Sequence, residues 1–278
     1  MRVGFAFGGY APALLHGRGH LFDFVEVPFE LLQHDPSVLD LLGSKSVILH
    51  CASLSIAGSV RPDREVVASL RRWIRRTKTP WLGEHLAFMT ADKLLAGPNA
   101  DEYAPGQPYN LGFTVSPPMN SASADSVVKT ARLYRDQLGI PLLLENSPIY
   151  FTVPGTVMSQ TDFIQEICRD SSIRLLLDLT HFLISARNLG FDAFSEIQKL
   201  PLARVDEIHI SGTSFQENRW WDDHAAPASD EVFELFRTVL HSASPKAVTL
   251  EYNWSATFPE DSIMRDFDRT NCVIRSTA

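Results

Sequence analysis

Cysteine is scarce in this chain: three thiols, Cys51, Cys168 and Cys272, among 278 residues. They are too few and too scattered for a disulfide framework or a thiolate metal site, and they fit a reducing cytoplasm. Positive charge is short as well. Lys and Arg number 25 against 33 Asp and Glu, a formal net charge of −8, so the broad basic face of a nucleic-acid binder is missing. The basic cluster Arg71, Arg72, Arg75, Arg76 and Lys78 falls at the end of an amphipathic helical pattern, where cations suit the helix dipole. No uninterrupted apolar run is long enough for a membrane helix, and MRVGFAFGGY has no charged-then-apolar signal pattern. A glycine fingerprint is also lacking. Gly8-Gly9 follows the first strand without the spacing of a dinucleotide loop, which counts against a doubly wound open sheet.

What the chain has instead is repetition of one design. Short apolar runs at residues 2–7, 22–27, 47–50, 81–85, 142–145, 175–178, 207–210 and 247–251 read as strands buried on both faces. Helical patterns at 36–42, 64–78, 125–138, 159–169, 230–240 and 260–273 separate most of them. After Leu175–Asp178 the helical pattern resumes only beyond His181. With no linker and no break in composition, the alternation predicts a single (β/α)8 TIM-type barrel over residues 1–278. Residues 90–119, rich in Gly, Pro, Asn and Tyr, read as a long irregular loop after strand four, of the kind that forms lids and binding loops.

Chemistry in such a barrel sits at the carboxyl ends of the strands. Here those ends read His50, His85, Glu145, Asp178, His209 and Glu251. His181 lies just past strand six, and Asp222 and His224 lie in WWDDHAAP after strand seven. Any one of them can be a packed or capping residue: Asp178 can cap a turn, and His181 can be a satisfied core histidine. The set is harder to absorb, because so many carboxylates at one mouth repel one another without bound cations. Mixed His, Asp and Glu donors suit iron, manganese or zinc, and there are more donors than one ion can use. The residues alone therefore predict a multinuclear metal site.

The motifs LHCASLS, GEHLAF, LLLENSPIY, LLLDLTHFLISARNLGFDA, EIHISG and DDHAAP, in this order, resemble those of the multinuclear non-heme iron-dependent oxidative enzymes. That family comprises (β/α)8 barrels that modify cysteine in ribosomally made peptides. It includes the methanobactin-forming and 3-thiaglutamate-pathway enzymes. The resemblance covers nearly the whole chain. It implies that His50, His85, Glu145, Asp178, His209, Asp222, His224 and Glu251 ligate iron, with Glu145 a bridge. It implies two or three ions in mixed Fe(II)/Fe(III) states, O2 as cosubstrate, and Glu145, Asp178 and His209 at the catalytic core. A cysteine-bearing peptide is the implied substrate. The implied product is a carbon-excised thiol formed at a C-terminal cysteine, or alternatively an oxazolone with a thioamide. The family works with a separate peptide-recognition protein, so a heterodimer is expected. Two positions depart from the family pattern. His181 stands where many family members carry asparagine, which makes it a further candidate ligand, and Asp223 stands where a small hydroxyl residue is common.

Other residues carry weaker expectations. Glu26 ends a strand that lies too far round to complete the cluster and reads as a polar-network residue. Glu84 and Cys51 alternate with His85 and His50 and so point away from the mouth. Asn146, Arg187 and Asn188 either bind substrate or satisfy loop backbone, Trp220-Trp221 reads as a substrate wall or partner contact, and Asp223 as a solvated neighbour. Two other function classes use similar donors: a zinc or manganese barrel hydrolase or isomerase, and a non-enzymatic peptide- or metal-binding subunit. The bound metal and turnover discriminate them.

Overall fold

The eight apolar runs form a closed barrel of parallel strands, and the connections that leave their carboxyl ends build its mouth. The computed structural model describes residues 1–91 and 109–277. In chain order the first half comprises β1 (Arg2–Ala6), α1 (Ala11–Arg18), β2 (Phe24–Pro28), α2 (Phe29–His34), α3 (Val38–Leu42), β3 (Ser46–Cys51), α4 (Arg64–Thr77) and β4 (Leu82–His85). A hairpin of β5 (Phe88–Ala91) and β6 (Tyr109–Val115) follows, then α5 (Ser121–Leu138), β7 (Leu142–Glu145) and α6 (Gln160–Ile167). The second half adds β8 (Arg174–Asp178), α7 (Leu179–Leu189), α8 (Ala193–Ile197), β9 (Val205–Ile210), β10 (Ser214–Gln216), β11 (Arg219–Trp221), α9 (Asp230–Leu240), β12 (Ala247–Leu250) and α10 (Glu260–Thr277). The barrel closes in the order β1-β12-β9-β8-β7-β4-β3-β2, with β10-β11 and β5-β6 as separate two-stranded sheets.

Strand alternation sorts the side chains into two cores. Outward residues such as Val25, Leu49, Leu144, Leu177, Ile208 and Val248 join the helix faces, among them Leu70, Val127, Phe163 and Phe236, in one large buried cluster. Each fully buried aliphatic or aromatic side chain there contributes about 2 kcal/mol. Inward residues Phe24, Ile48, Trp81, Leu143, Leu176 and Ala247 form a second, smaller cluster that plugs the lumen. One step further along the same inward register, the strands turn polar, and that layer is the candidate site.

Local signals explain the helix ends. Asn120 accepts the Ser123 amide at 2.9 Å and starts α5, four residues earlier than periodicity alone predicts. Ser159 caps α6, its hydroxyl accepting the Asp162 amide at 3.0 Å. Gly139 and Gly190 close α5 and α7 in the left-handed conformation, φ 73° and 77°.

Several expectations need correcting. The 90–119 segment is not one loop: Phe88–Ala91 pairs with Tyr109–Val115 antiparallel, while residues 92–108 lie outside the described residues. The helix after β8 starts immediately at Leu179, because Asp178 itself is its N-cap, accepting the His181 amide at 2.7 Å. Helices α2 and α8 and the β10-β11 hairpin are too short to leave a periodic trace in sequence. Among the described residues no helix is long and apolar enough to cross a membrane.

Candidate metal centre

Inward register delivers one polar residue at the end of each of six strands. His50 follows Ile48, Glu145 follows Leu143 and Asp178 follows Leu176; His85, His209 and Glu251 end β4, β9 and β12 in the same way. His181 arrives from the first turn of α7, and Asp222 and His224 from the loop that follows β11. All nine predicted residues meet. They form three adjoining groups whose ligand atoms lie within 4.8 Å of one another: His50, His85 and Glu145; Glu145, Asp178, His209 and Glu251; and His181, Asp222 and His224.

Glu145 sits between these groups. Its Oε2 lies 2.8 Å from His50 Nε2 and 3.4 Å from His85 Nε2. Its Oε1 lies 3.4 Å from His181 Nδ1 and 3.5 Å from His209 Nδ1. His209 Nδ1 is 3.1 Å from Glu251 Oε2, His181 Nε2 is 2.9 Å from Asp222 Oδ2, and His224 Nε2 is 2.7 Å from Asp222 Oδ1. Several of these close approaches lack hydrogen-bond geometry. Asp178 Oδ2, His181 Nε2, His209 Nδ1, Asp222 Oδ1 and His224 Nε2 are all buried without a hydrogen-bond partner. Buried polar atoms are rarely left so. Five in one pocket, aimed at common points, fit a set of cations.

The opposite nitrogens are anchored. His181 Nδ1 meets the Asn146 carbonyl oxygen at 2.9 Å, and His209 Nε2 meets Glu26 Oε2 at 3.0 Å. A ligand histidine held through its far nitrogen has its tautomer and ring orientation fixed. A glycine makes room for a third imidazole: a Cβ on Gly83 would stand 2.7 Å from His50 Cδ2 and 3.0 Å from Leu176 Cδ1.

The charges are strongly coupled. Burial opposes protonation of His50, yet Glu145 beside it drives the imidazole up to about 10. Burial likewise opposes charge on His224, but Asp222 and Glu251 bring it to about 10. His209 and His181 also sit well above the ordinary range despite burial, the first through Glu26, the second through Asp178 and Asp222. His85 goes the other way, because burial outweighs the pull of Glu145. Burial alone would raise Glu251, but His224 and His209 hold it down to about 2. Asp178 is pushed up to about 6, mainly by burial, with Glu145 adding to it. Without metal, then, the neighbouring carboxylates favour protons on His50, His181, His209 and His224, and a cation would compete with them.

Residues beyond the nine sort clearly. Glu26 is not too far round: it crosses the lumen to His209. Glu207 went unnoticed in the sequence, although it lies two residues before His209 and so shares its inward face. It accepts Trp81 Nε1 at 2.6 Å and Thr249 Oγ1 at 2.7 Å, and burial pushes it up to about 7. Asn146 satisfies backbone, pairing its side chain with both the amide and the carbonyl of Asp178 at 2.9 Å. Asn188 does the same for Trp220, at 3.0 Å on each side. Arg187 pairs with Glu231 and stacks 4.0 Å over the Trp220 ring, so none of the three faces the centre. Asp223 is not merely solvated, since it accepts the Ser214 hydroxyl and the Ala225 amide. Cys51 is buried in the outer core and Glu84 is fully buried behind it, both turned from the mouth as alternation predicts.

Comparison with known proteins places this arrangement. A family model described as RiPP precursor modification enzyme MbnB/TglH/ChrH matches residues 9–271. This chain belongs to that family. Family members act on the precursors of ribosomally made, post-translationally modified peptides. The chain is 30% identical over 224 residues to a UPF0276 protein of Rhizobium meliloti (strain 1021), covering 79% of this chain and 67% of the relative. A UPF0276 protein of Chromobacterium violaceum is 29% identical over 205 residues, 74% of this chain and 69% of the relative. Among solved structures, the IOLI protein with a bound zinc atom superposes with a TM-score of 0.61 at 12% identity, covering 100% of this chain and 99% of the other. That likeness is one of fold, the TIM barrel that this MbnB/TglH/ChrH member shares.

Proposed function

We propose that this member of the MbnB/TglH/ChrH family is an O2-dependent multinuclear iron enzyme that oxidises a cysteine of a ribosomally made peptide. The observation that carries this reading is the set of five buried, unpartnered lone pairs converging at the barrel mouth. Five imidazoles and four carboxylates in three adjoining groups provide for two or three ions in mixed Fe(II)/Fe(III) states. His50, His85 and Glu145 would hold one ion; Glu145, Asp178, His209 and Glu251 the next; His181, Asp222 and His224 the third. The donors are nitrogen and oxygen only, which suits iron. When bound, iron supplies one-electron and O2 chemistry and draws the proton from a substrate thiol.

The protein's own part is placement. Glu145, Asp178 and His209 belong to the central group, Glu145 is shared with the His50 and His85 group and lies 3.4 Å from His181, and Asp178 lies 3.6 Å from His181, so the catalytic role is assigned to the three. Glu145, common to two of the groups, would be shared between their ions. Beside Asp222, the half-exposed Trp221 ring stacks on Tyr150 with centroids 5.0 Å apart, an apolar wall for a peptide backbone at the mouth. The product class is a carbon-excised thiol from a C-terminal cysteine, as in 3-thiaglutamate biosynthesis, or an oxazolone with a thioamide. A separate peptide-recognition protein presents the substrate, in a heterodimer with this chain.

The test is elemental analysis of anaerobically purified protein, followed by O2 uptake and mass spectrometry of a cysteine-bearing precursor peptide supplied with its partner. Two or three Fe per chain and an O2-dependent mass change at the cysteine are expected. Stoichiometric zinc with negligible iron, and zinc-dependent turnover, would remove the oxidase reading.

A further inference from the structure

The side of His209 that faces away from the centre carries a second message. His209 is next to last in β9, and Glu26 lies in the middle of β2; in the barrel order the two strands are separated by β12 and β1. Glu26 nevertheless reaches across the lumen to place Oε2 3.0 Å from His209 Nε2. Both side chains are almost fully buried, Glu26 at 2% and His209 at 1% exposure. The opposite ring nitrogen, Nδ1, is the one turned to Glu145, Asp178 and Glu251.

Glu26, Glu207 and His209 also stand close enough to form a cation site of their own. Their hydrogen bonds count against that use. Both oxygens of Glu207 are engaged, by Trp81 and Thr249, and the facing oxygen of Glu26 is engaged by the imidazole. Every bond there holds a side chain in place, and none of these oxygens is left free to take a metal. His181 provides the contrast within the same molecule. Its far nitrogen is hydrogen-bonded to a neutral carbonyl, that of Asn146, with Glu145 Oε1 farther off at 3.4 Å, whereas that of His209 is hydrogen-bonded to a carboxylate.

We propose that Glu26 is the positioning residue of His209. Its carboxylate accepts the Nε2 proton, fixes the ring with Nδ1 toward the centre, and makes His209 a stronger donor than the carbonyl-backed His181. The assignment rests on the reading of the mouth as a metal centre. It gives that centre a built-in asymmetry, because of the two histidines only His209 is hydrogen-bonded from behind to a carboxylate.

The experiment uses wild type, Glu26→Gln and Glu26→Ala, stripped of metal and titrated anaerobically with Fe(II) alone. Affinity and Mössbauer spectra are read for each, and circular dichroism of the metal-free forms checks the fold. Glu26→Ala is expected to weaken one ion by about 10- to 100-fold and to shift one doublet only. Glu26→Gln, of equal size, keeps an acceptor for the Nε2 proton but loses the charge, so it is expected to fall between the other two; it carries the test if the alanine variant does not fold. If wild type binds Fe(II) and the foldable variants match it in affinity and spectrum, the assignment of Glu26 fails alone. If wild type takes up no Fe(II), the metal-centre reading fails and the assignment fails with it.

Discussion

At the scale of the residue, small changes at the mouth have separable effects. Gly83 lies against the His50 ring, so Gly83→Ala must push His50 or Leu176 aside. Overpacking of this kind costs about 1–3 kcal/mol. The expected outcome is a folded barrel with a lower melting temperature and one metal equivalent fewer, read by thermal circular dichroism and elemental analysis; an unchanged metal count would detach His50 from the centre. His181 offers a second test. Its Nε2 stands 2.9 Å from Asp222 Oδ2 with no hydrogen bond to satisfy it. His181→Asn installs the asparagine expected here from the family resemblance, and is expected to keep the fold while lowering or redistributing iron without emptying the site. Identical Mössbauer spectra and unchanged turnover on the cysteine peptide would place His181 outside the coordination sphere.

At the scale of the element, the β10-β11 hairpin governs how two of the nine residues arrive. Asp222 and His224 follow β11, and His224 adopts φ 50°, a left-handed conformation that a side chain takes only when its surroundings hold it there. Asn188, near the end of α7, clamps the hairpin through two hydrogen bonds to the Trp220 backbone. Each is worth about 1 kcal/mol. Asn188→Ala is therefore expected to loosen the hairpin and empty the His181, Asp222 and His224 group first, leaving the strand-end groups loaded. Metal counts against melting temperature check this: loss of all ions together would mean that the hairpin is not an independent element. The same helix shows how one residue does two jobs. Asp178 caps α7 with Oδ1 and leaves Oδ2 bare toward the centre. Capping and ligation were rival readings of the sequence; the structure gives one oxygen to the cap and leaves the other free for the proposed metal.

At the scale of the whole molecule, protons and metal compete for one pocket. His50 and His224 rise from their ordinary 6.5 to about 10, so in the metal-free protein they stabilise the fold fully below about pH 6.5 and cease to do so as pH climbs through 10. Glu251 falls from 4.5 to about 2, so its contribution is present above about pH 4.5 and is lost as pH drops toward 2. Asp178 and Glu207 stand above their ordinary values, at about 6 and 7, so ionising them costs stability as pH rises from about 4 toward 7. Metal-free protein is thus expected to melt highest near pH 4.5 and lower on either side. Metal binding must displace the imidazole protons, so Fe(II) affinity is expected to rise with pH over the range where metal-free stability falls. Calorimetric melts of stripped and reloaded protein across pH 5 to 9 measure both trends, and parallel trends would contradict the competition.

What the sequence determined by itself was periodic. Eight apolar runs between helical patterns, without the glycine fingerprint of a doubly wound sheet, point to a barrel, one of the folds that cover strands buried on both faces. Strand-end polarity marks His50, His85, Glu145, Asp178, His209 and Glu251 in advance, because barrel chemistry gathers at those ends. Alternation also turned Cys51 and Glu84 outward, where the structure has them. The lumen was decided only in three dimensions. Whether Glu26 reaches His209 depends on barrel closure and strand tilt, which no local pattern encodes. The same holds for the room that Gly83 leaves to His50 and for the grouping of nine side chains into three sets. Sequence spacing fixes which face of a strand a residue occupies; closure of the barrel fixes which residues of different strands meet at its mouth.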